Sequence, residues 1–580
     1  MMKRSYFRKR LESHVLLVES PLAGPLRRAG IPEGVPAERA NVDHPDLVRD
    51  VHRRHLNAGI DVLVTNTLRA GEDHLRQSGT AADLDRVNRR GALLAGEVAQ
   101  GRVVVAGAIG SPVERIEPLG RLGFSSAVSM FQRQAKPLLE GNVDLFLIGP
   151  MSELKEARAA VIAVRELCDL PITVFMAFGE GGVSETGTDP LTFFTVVEAL
   201  DVDALGLSWH GPWDECRKPL AAIRARTGLP LIVQMVEDDA GEGEGGRASG
   251  EELGAWAADA VAHGARMLRR SDWWEHEQVA AVAGAVAGAV PRGGEADLRM
   301  SRVSSRTKTV EIGDELPIRI IGERINPTAR PRLITSIQEG ERGAIEEEAA
   351  KQVTKGASIL DVNVGVPGVD EQEAMRWAVR AVGRVADVPL AIDSADPLVI
   401  EAGLAEAPGK SIVNSVTGEE KSLERMLPLV KRYGAAMIGM AIDEKGLPDT
   451  AESRLAIAER IVAQALDTGV SLRDIFIDCV TLTVGAAQDQ AWETLRAIGM
   501  VKERLGARTV LGVSNISHGM PQRGVLNRAF LAMALGYGLD LPIVNPYAKG
   551  VDEVVAAADV LLGRDKMGLS FIEQFGKQGA

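Results

Sequence analysis

Seven acids and amides close short apolar runs in the second half of this 580-residue sequence: Asn326, Asp361, Asn363, Asp393, Asn414, Asp478 and Asn515. They fall in the segments GERINPTA (322–329), LDVNVG (360–365), IDSAD (392–396), KSIVNSVTGE (410–419), DIFID (474–478) and GVSNISHGMPQR (512–523). The half holds no clustered His/Cys set for a metal, no phosphate loop and no lysine poised for a Schiff base. Carboxylates accept hydrogen bonds and amides both donate and accept, so the set suits a flat heterocycle with alternating donors and acceptors, a pterin for example. One such residue at a strand end is ordinarily the cap of the next helix. Seven around one opening read as a binding site.

That opening needs elements to build it. Short apolar runs followed by helical periodicity predict eight strands in the second half, at 318–321, 359–362, 390–392, 411–413, 435–439, 475–477, 509–511 and 543–544. Eight more are predicted in the first half, at 15–18, 62–65, 103–106, 145–148, 172–175, 204–207, 231–233 and 266–268. HPDLVRDVHRRHLNAG (44–59) carries an apolar stripe at helical spacing and ends at Gly, and the last helix of this half is expected over Ala280–Val290. Strand–helix alternation implies parallel sheets with right-handed crossovers. The fold class is therefore α/β, with two (β/α)8 barrels in tandem. The first covers 1–290 and the second 318–580, each of ordinary barrel size. Between them, 291–317 reads as linker and hairpin: PRGGEADLRMSRVSSRTKT (291–309) lacks any hydrophobic period, and TVEIGDELPIR (309–319) reads as a hairpin plugging the second barrel. EDDAGEGEGGRAS (237–249) reads as an acidic, Gly-rich flap.

Hydrophobic residues make up 45% of the chain and charged residues 25%, the balance of a globular protein. A net charge of −14 leaves no broad basic surface for nucleic acid. No apolar run approaches the roughly 20 residues that span a bilayer. The basic start MMKRSYFRKRLESH lacks a following apolar region, so no signal peptide and a cytoplasmic location are expected. The three cysteines, Cys168, Cys216 and Cys479, form neither a disulfide framework nor a CxxC site.

From about residue 318 to about 563 the sequence resembles the pterin-binding methyltransferases, with all six segments above in the family's order. That family includes the folate module of cobalamin-dependent methionine synthases and the methyltetrahydrofolate:corrinoid methyltransferases. The resemblance implies that Asp393, Asn414 and Asp478 hold the pterin ring and that Asn515 lies beside the methyl-bearing nitrogen. Cys479 stands where the corrinoid enzymes usually have Pro. The lysine-containing pattern of dihydropteroate synthases, more distant relatives, is absent.

The first half resembles the homocysteine S-methyltransferases through ERANVDHPDLVRDVHRRHLNAGIDVLVTNT (38–67), VVVAGAIGSP (103–112), VDLFLIGP (143–150) and TGTDP (186–190). That family binds zinc through three cysteines. Here GLSWHGP (206–212) puts Trp209 at the first ligand position, and RRSDWW (269–274) puts Ser271 and Asp272 at the paired one. Gly149 replaces the acid expected at the homocysteine amino group, and ESPLAG (19–24) replaces DGAMGT. No zinc is therefore expected, since a thiol needs a metal or a cationic setting to become a thiolate near neutral pH. His210, Asp272 and His276 are the nearest substitutes. His210 reads as an exposed loop residue and His276 as a surface helix residue. Four of the seven tryptophans, Trp209, Trp213, Trp273 and Trp274, fall in the two former ligand loops. They either line a pocket for an apolar, aromatic or quaternary-ammonium ligand or fill the vacant mouth as core. Asn66, Trp209, His210 and Trp273 are the candidate pocket residues.

The expectation is a methyltransferase that exchanges a methyl group between tetrahydrofolate and a corrinoid (cobalamin) cobalt on a separate protein. The first barrel would bind a small-molecule methyl donor or acceptor other than homocysteine, or act as a scaffold. Two alternatives stand beside it: a methionine synthase with non-cysteine metal ligands, and a non-catalytic folate-binding or assembly component. The resemblance also implies a possible homodimer. Neither nucleic acid nor membrane is an expected partner.

Overall fold

The computed structural model describes residues 2–236, 248–271, 275–289 and 299–576. The chain divides into two units, Met1–Leu298 and Arg299–Ala580. In the first, β1 (Leu16–Leu17), β2 (Val62–Val64), β3 (Val104–Ile109), β4 (Leu145–Met151), β5 (Ile172–Phe178), β6 (Ala204–His210), β7 (Leu231–Val236) and β8 (Ala265–Arg270) form one parallel sheet. A helix follows nearly every strand, as parallel pairing requires. The seam between β1 and β2 closes at a single bridge, Val18 to Val62, reinforced where the Glu19 N–H donates to the Val62 carbonyl at 2.9 Å. The interior is the alternate-residue set expected of a barrel, including Leu16, Val18, Leu147, Phe175, Ile232 and Met267.

The second unit begins with an antiparallel hairpin, β9 (Ser301–Ser304) and β10 (Thr309–Ile312). A closed parallel barrel follows: β11 (Ile320–Ile325), β12 (Ala357–Asn363), β13 (Leu390–Asp393), β14 (Ile412–Thr417), β15 (Ala436–Met440), β16 (Ile475–Asp478), β17 (Arg508–Gly512) and β18 (Leu541–Val544). Val303 and Ile312 of the hairpin pack into the same core as Ile321, Ile359, Ala391, Ile412, Phe476 and Val510. The Ser304 N–H donates to the Lys410 carbonyl at 3.0 Å, just before β14 begins. The hairpin therefore seals the N-terminal end of the barrel and leaves the C-terminal end as its mouth.

All sixteen barrel strands lie where the apolar runs place them. Three other expectations are corrected. The plug hairpin spans 301–312, not 309–319, so part of the supposed linker is its first strand; SRVS looks polar because only Val303 supplies apolar burial, and the serines are buried by the barrel above. Residues 291–298 of that linker lie outside the described residues, as do residues 237–247 of the acidic flap. The last helix of the first unit runs His276–Val286, not 280–290. Its start is set by the Glu275 N–H donating to Gln278 Oε1 at 3.1 Å, a reciprocal cap that outweighs the alanine-rich composition further on.

The hairpin's seat leaves no room for a side chain at Gly409, where an added Cβ would lie 2.1 Å from the Ser304 carbonyl oxygen and 2.3 Å from that of Ser305. Gly409→Ala is expected to lower stability by about 2–4 kcal/mol, the range of overpacked buried contacts. Chemical denaturation of the full chain checks this.

Candidate functional site

Strand periodicity builds the site. In the second barrel, Ile321, Ile359, Ala391, Ile412, Ile438, Phe476 and Val510 form the apolar interior. Two residues further toward the mouth, the same inward face presents Glu323, Asp361, Asp393, Asn414, Met440, Asp478 and Gly512. One pleat thus converts a greasy floor into a ring of acids and an amide, with Met440 as its apolar member.

These groups bond to one another rather than to the helices behind them. Asn414 Nδ2 donates to Asp361 Oδ1 at 2.9 Å, and Asn363 Nδ2 donates to Asp393 Oδ2 at 3.0 Å. The register places Asn363 opposite Asp393, and Asp393 opposite Asn414. Burial, together with the neighbouring charge of Asp393, pushes the Asp361 carboxyl well above the usual range; burial raises Asp393 as well. Both carboxyls are thus easier to protonate than an ordinary Asp, and Asp361 is the more strongly raised of the two. Burial also lifts Asp478 to about 6, against the Val480 N–H that donates to its Oδ1 at 2.7 Å. Cys479 is buried behind Asp478 and leaves it at the end of β16.

The other two predicted residues differ. Asn326 follows β11 and its Oδ1 accepts from the Thr328 N–H at 3.0 Å, a local turn that consumes the acceptor. Asn515 is exposed on the short turn Val513–Ser517 after β17, and its Oδ1 lies 3.2 Å from His518 Nε2. Glu323 is the member that motif reading missed. It is raised by burial and accepts from Ser514 Oγ at 2.9 Å, which ties β11 to the turn bearing Asn515. Its signal was present in GERI: counting by two from the inward Ile321 reaches Glu323. Beside the rim lies a cleft of about 720 Å³ lined by Asn363, Gly365, Gln372, Asp393 and Ser394 among others. That space is sufficient for a bicyclic heterocycle with a tail.

In the first barrel Trp209 ends β6, is 3% exposed, and donates from Nε1 to the Pro212 carbonyl at 3.2 Å. It borders a mainly apolar pocket of about 420 Å³ with Leu191, Pro219 and Ile223. His210 is exposed. Trp213 does not join the mouth: it begins the helix Trp213–Arg224, donates to Asp259 Oδ2 at 2.6 Å and stacks edge-on against Trp256 of the next helix. Asn66 is buried, and its side-chain NH2 donates to the Ala37 carbonyl at 2.8 Å and to Asn41 Oδ1 at 3.1 Å. Partners from distant segments engage both residues, which sequence position could not foretell. Asp272, Trp273 and Trp274 lie outside the described residues, and so does the side chain of His276. Among the described residues no three His, Cys, Asp or Glu side chains converge on a metal position. Trp209 and Ser271, at ligand positions of the resembled family, offer no thiolate, so the donor set does not fit its zinc.

Glu19 anchors this barrel instead. It is fully buried and accepts from His52 Nδ1 at 2.9 Å, His55 Nδ1 at 2.7 Å and the Val64 N–H at 2.7 Å. Burial pushes its carboxyl up, but the two histidines outweigh that and hold it at about 2, below its ordinary 4.5. The resulting stabilisation is present above about pH 4.5 and is lost as pH falls through about 2. Glu19→Gln is expected to cost about 3 kcal/mol at pH 7, with the deficit shrinking in acid; denaturation midpoints at pH 7 and at about pH 2.5, toward the folded value of about 2, check it.

The fold and the site define a class: a barrel with a rim of acids and amides, preceded by another parallel α/β barrel. Comparison with known proteins agrees. Residues 322–545 match the family model of pterin binding enzymes, and residues 9–289 match that of homocysteine S-methyltransferases. The two halves of the chain thus match two different family models, one after the other. It is 28% identical to a methionine synthase of Mycobacterium leprae and 26% identical to that of Mycobacterium tuberculosis, each alignment covering 88% of this chain and 45% of the relative. The chain therefore spans about half the length of these curated relatives. Among solved structures, the homocysteine methyltransferase MmuM from Escherichia coli in its oxidized form is similar at 18% identity and a TM-score of 0.39, covering 47% of this chain and 95% of that one. No helix among the described residues is long and apolar enough to cross a membrane.

Proposed function

We propose that the second barrel binds methyltetrahydrofolate by its pterin ring and moves the N-methyl group to or from a corrinoid cobalt carried on a separate protein. The observation that carries this reading is the ring of Glu323, Asp361, Asp393, Asn414 and Asp478 one pleat above an apolar floor. Asp393 and Asp478 accept from the ring N–H and amino groups, while the Asn414 amide, held by Asp361, serves the ring's acceptor atoms. Met440 offers an apolar surface to the ring face. A corrinoid, when present, supplies the metal centre that takes or gives the methyl group. The chain's own task is to make a tertiary amine a tolerable leaving group. Asn515 does this by accepting, at Oδ1, the hydrogen bond of the N–H that forms on the departing nitrogen as charge develops.

The first barrel, in this reading, takes a substrate other than homocysteine or serves as a scaffold, because its former ligand positions hold no thiolate. A second reading is homocysteine methylation, favoured by the methionine synthase relatives; it requires a metal held by residues outside the cysteine pattern.

One experiment separates these readings. The purified chain is assayed for metal content, for methyltetrahydrofolate binding, and for transfer of labelled methyl to cob(I)alamin with and without homocysteine. Folate binding and transfer without homocysteine are expected, with zinc well below one per chain. Stoichiometric zinc with homocysteine-dependent turnover establishes the second reading. Binding without transfer to any corrinoid acceptor reduces the chain to a folate-binding component.

A further inference from the structure

Asp478 can meet a ring only while the turn behind it keeps the carboxylate in place, and a buried cation outside the six sequence segments holds that turn. Arg454 lies in the first turn of the helix Ala451–Asp467 and is 0% exposed. Its Nε donates to the Pro448 carbonyl at 3.2 Å, and its Nη2 donates to Gln490 Oε1 at 2.6 Å. Its Nη1 donates to Thr494 Oγ1 at 2.7 Å and to the carbonyls of Cys479 at 3.0 Å and Val480 at 3.1 Å. The guanidinium thus ties together the loop before its own helix, the helix Gln490–Leu505 and the two residues that follow Asp478. All of these acceptors are neutral, and the rigid fork of the guanidinium is what lets one side chain reach them together.

The two residues after Asp478 need such an anchor. Val480 has φ 60, in the left-handed region that a β-branched residue rarely adopts. There its N–H turns back onto Asp478 Oδ1 at 2.7 Å. Oδ2 is left without a protein partner among the described residues. Backbone held in so sparse a region persists only where its surroundings enforce it, and the bonds from Arg454 do so here. They reach the carbonyl of Cys479 and not its thiol, so the side chain at 479 can vary while Asp478 stays placed. The charge of Arg454 also opposes the rise that burial imposes on the Asp478 carboxyl. Met440 and Val510, opposite Asp478 on the neighbouring strands, carry no charge. Cys479, Glu493 and Asp449 act on Arg454 along with Asp478, and Glu493 is itself paired with Arg496 at 3.0 Å.

We propose that Arg454 is a positioning residue for the pterin ring: through the Cys479 and Val480 carbonyls it fixes the turn that holds Asp478 Oδ1 and leaves Oδ2 for the ligand. The proposal rests on the folate reading of the second barrel and adds to it a fully buried residue that acts only through Asp478. The same cation favours the ionised carboxylate, so one side chain governs both the placement and the charge of the acceptor.

The test titrates methyltetrahydrofolate into the full chain by calorimetry from pH 5 to pH 8, for wild type, Arg454→Gln and Arg454→Lys. The step in affinity that disappears in Asp478→Asn marks the titration of Asp478. In Arg454→Gln, affinity at pH 7 is expected to fall about tenfold or more, the scale of lost charged hydrogen bonds. Its Asp478 step should move up from about 6 by about half a pH unit or more, because the carboxylate has lost a cation. Arg454→Lys keeps the charge but not the fork, so affinity should fall about threefold or more while the step stays near its wild-type pH. A wild type that binds no methyltetrahydrofolate removes the folate reading, and this proposal with it. A wild type that binds, beside a folded Arg454→Gln with unchanged affinity or an unmoved Asp478 step, overturns this proposal alone. Should Arg454→Gln fail to fold, Arg454→Lys decides, and wild-type affinity in that variant overturns the proposal.

Discussion

Replacing Asp478 by Asn is expected to make the folate-free protein more stable at pH 8 while removing most of its affinity for methyltetrahydrofolate. Burial raises this carboxyl from 3.8 to about 6, with the Val480 N–H and the charge of Arg454 opposing the shift. A raised carboxyl favours the folded state only while it is protonated. Its contribution is fully present below about pH 3.8 and is lost as pH rises through about 6, so at pH 8 the buried charge stands as a cost on the order of 2–3 kcal/mol. Asn keeps the oxygen that accepts from Val480 and discards the charge, so the unfolding midpoint should rise. The same change exchanges an acceptor for a donor against the pterin N–H groups. A desolvated charged hydrogen bond is lost and a donor is left facing a donor, which is expected to weaken binding by about a hundredfold or more. The pH profile separates this from generic damage. Wild-type affinity should fall about tenfold per pH unit below about 6 as Asp478 takes up a proton, whereas the Asn variant should keep only the pH dependence that the raised Asp393 contributes. Titration calorimetry from pH 5 to pH 8, beside denaturation at pH 8, reads both effects. A variant that is less stable and equally pH-sensitive would remove Asp478 from the ring-holding set.

Asn515→Ala carries the second large effect, on rate rather than on binding. Asn515 is exposed on the turn after β17 and restrained only through His518 Nε2 at 3.2 Å, so its amide is available to a ligand at the mouth. Its proposed hydrogen bond strengthens as the departing nitrogen acquires its proton, and such transition-state contacts are worth about a hundredfold to a thousandfold in rate when removed. Single-turnover methyl transfer should slow by about that factor, while the dissociation constant for methyltetrahydrofolate changes by less than about threefold. Equal losses in rate and affinity would make Asn515 a binding contact and nothing more.

The two variants test different layers of one design. Asp478 belongs to the buried ring fixed by strand pleat, where desolvation makes each charge expensive and therefore selective for a matching ligand. Asn515 belongs to the loop layer above, where a polar group can adjust as the reaction proceeds. Glu323 couples the layers through its bond from Ser514, the residue preceding Asn515.

Local sequence by itself determined the strand–helix alternation, the two barrels and the acids and amides at the strand ends of the second. Apolar periodicity is a property of neighbouring residues, and a side chain two positions beyond an inward isoleucine must also face inward. The absence of thiolate donors at Trp209 and Ser271 was legible for the same reason: residue type alone excludes that ligand. Only the tertiary structure decided which polar groups remain available. The Asn66 NH2 and the Trp213 indole N–H are engaged by Ala37, Asn41 and Asp259 from distant segments, and Asn326 Oδ1 accepts within its own turn. The serines of β9 are buried by a barrel that follows them in the chain, and the raised carboxyls of Asp361 and Asp393 exist because two strands bring them together out of water. Hydrogen-bond partnership and desolvation depend on what packs against a residue, and that is set by contacts remote in sequence.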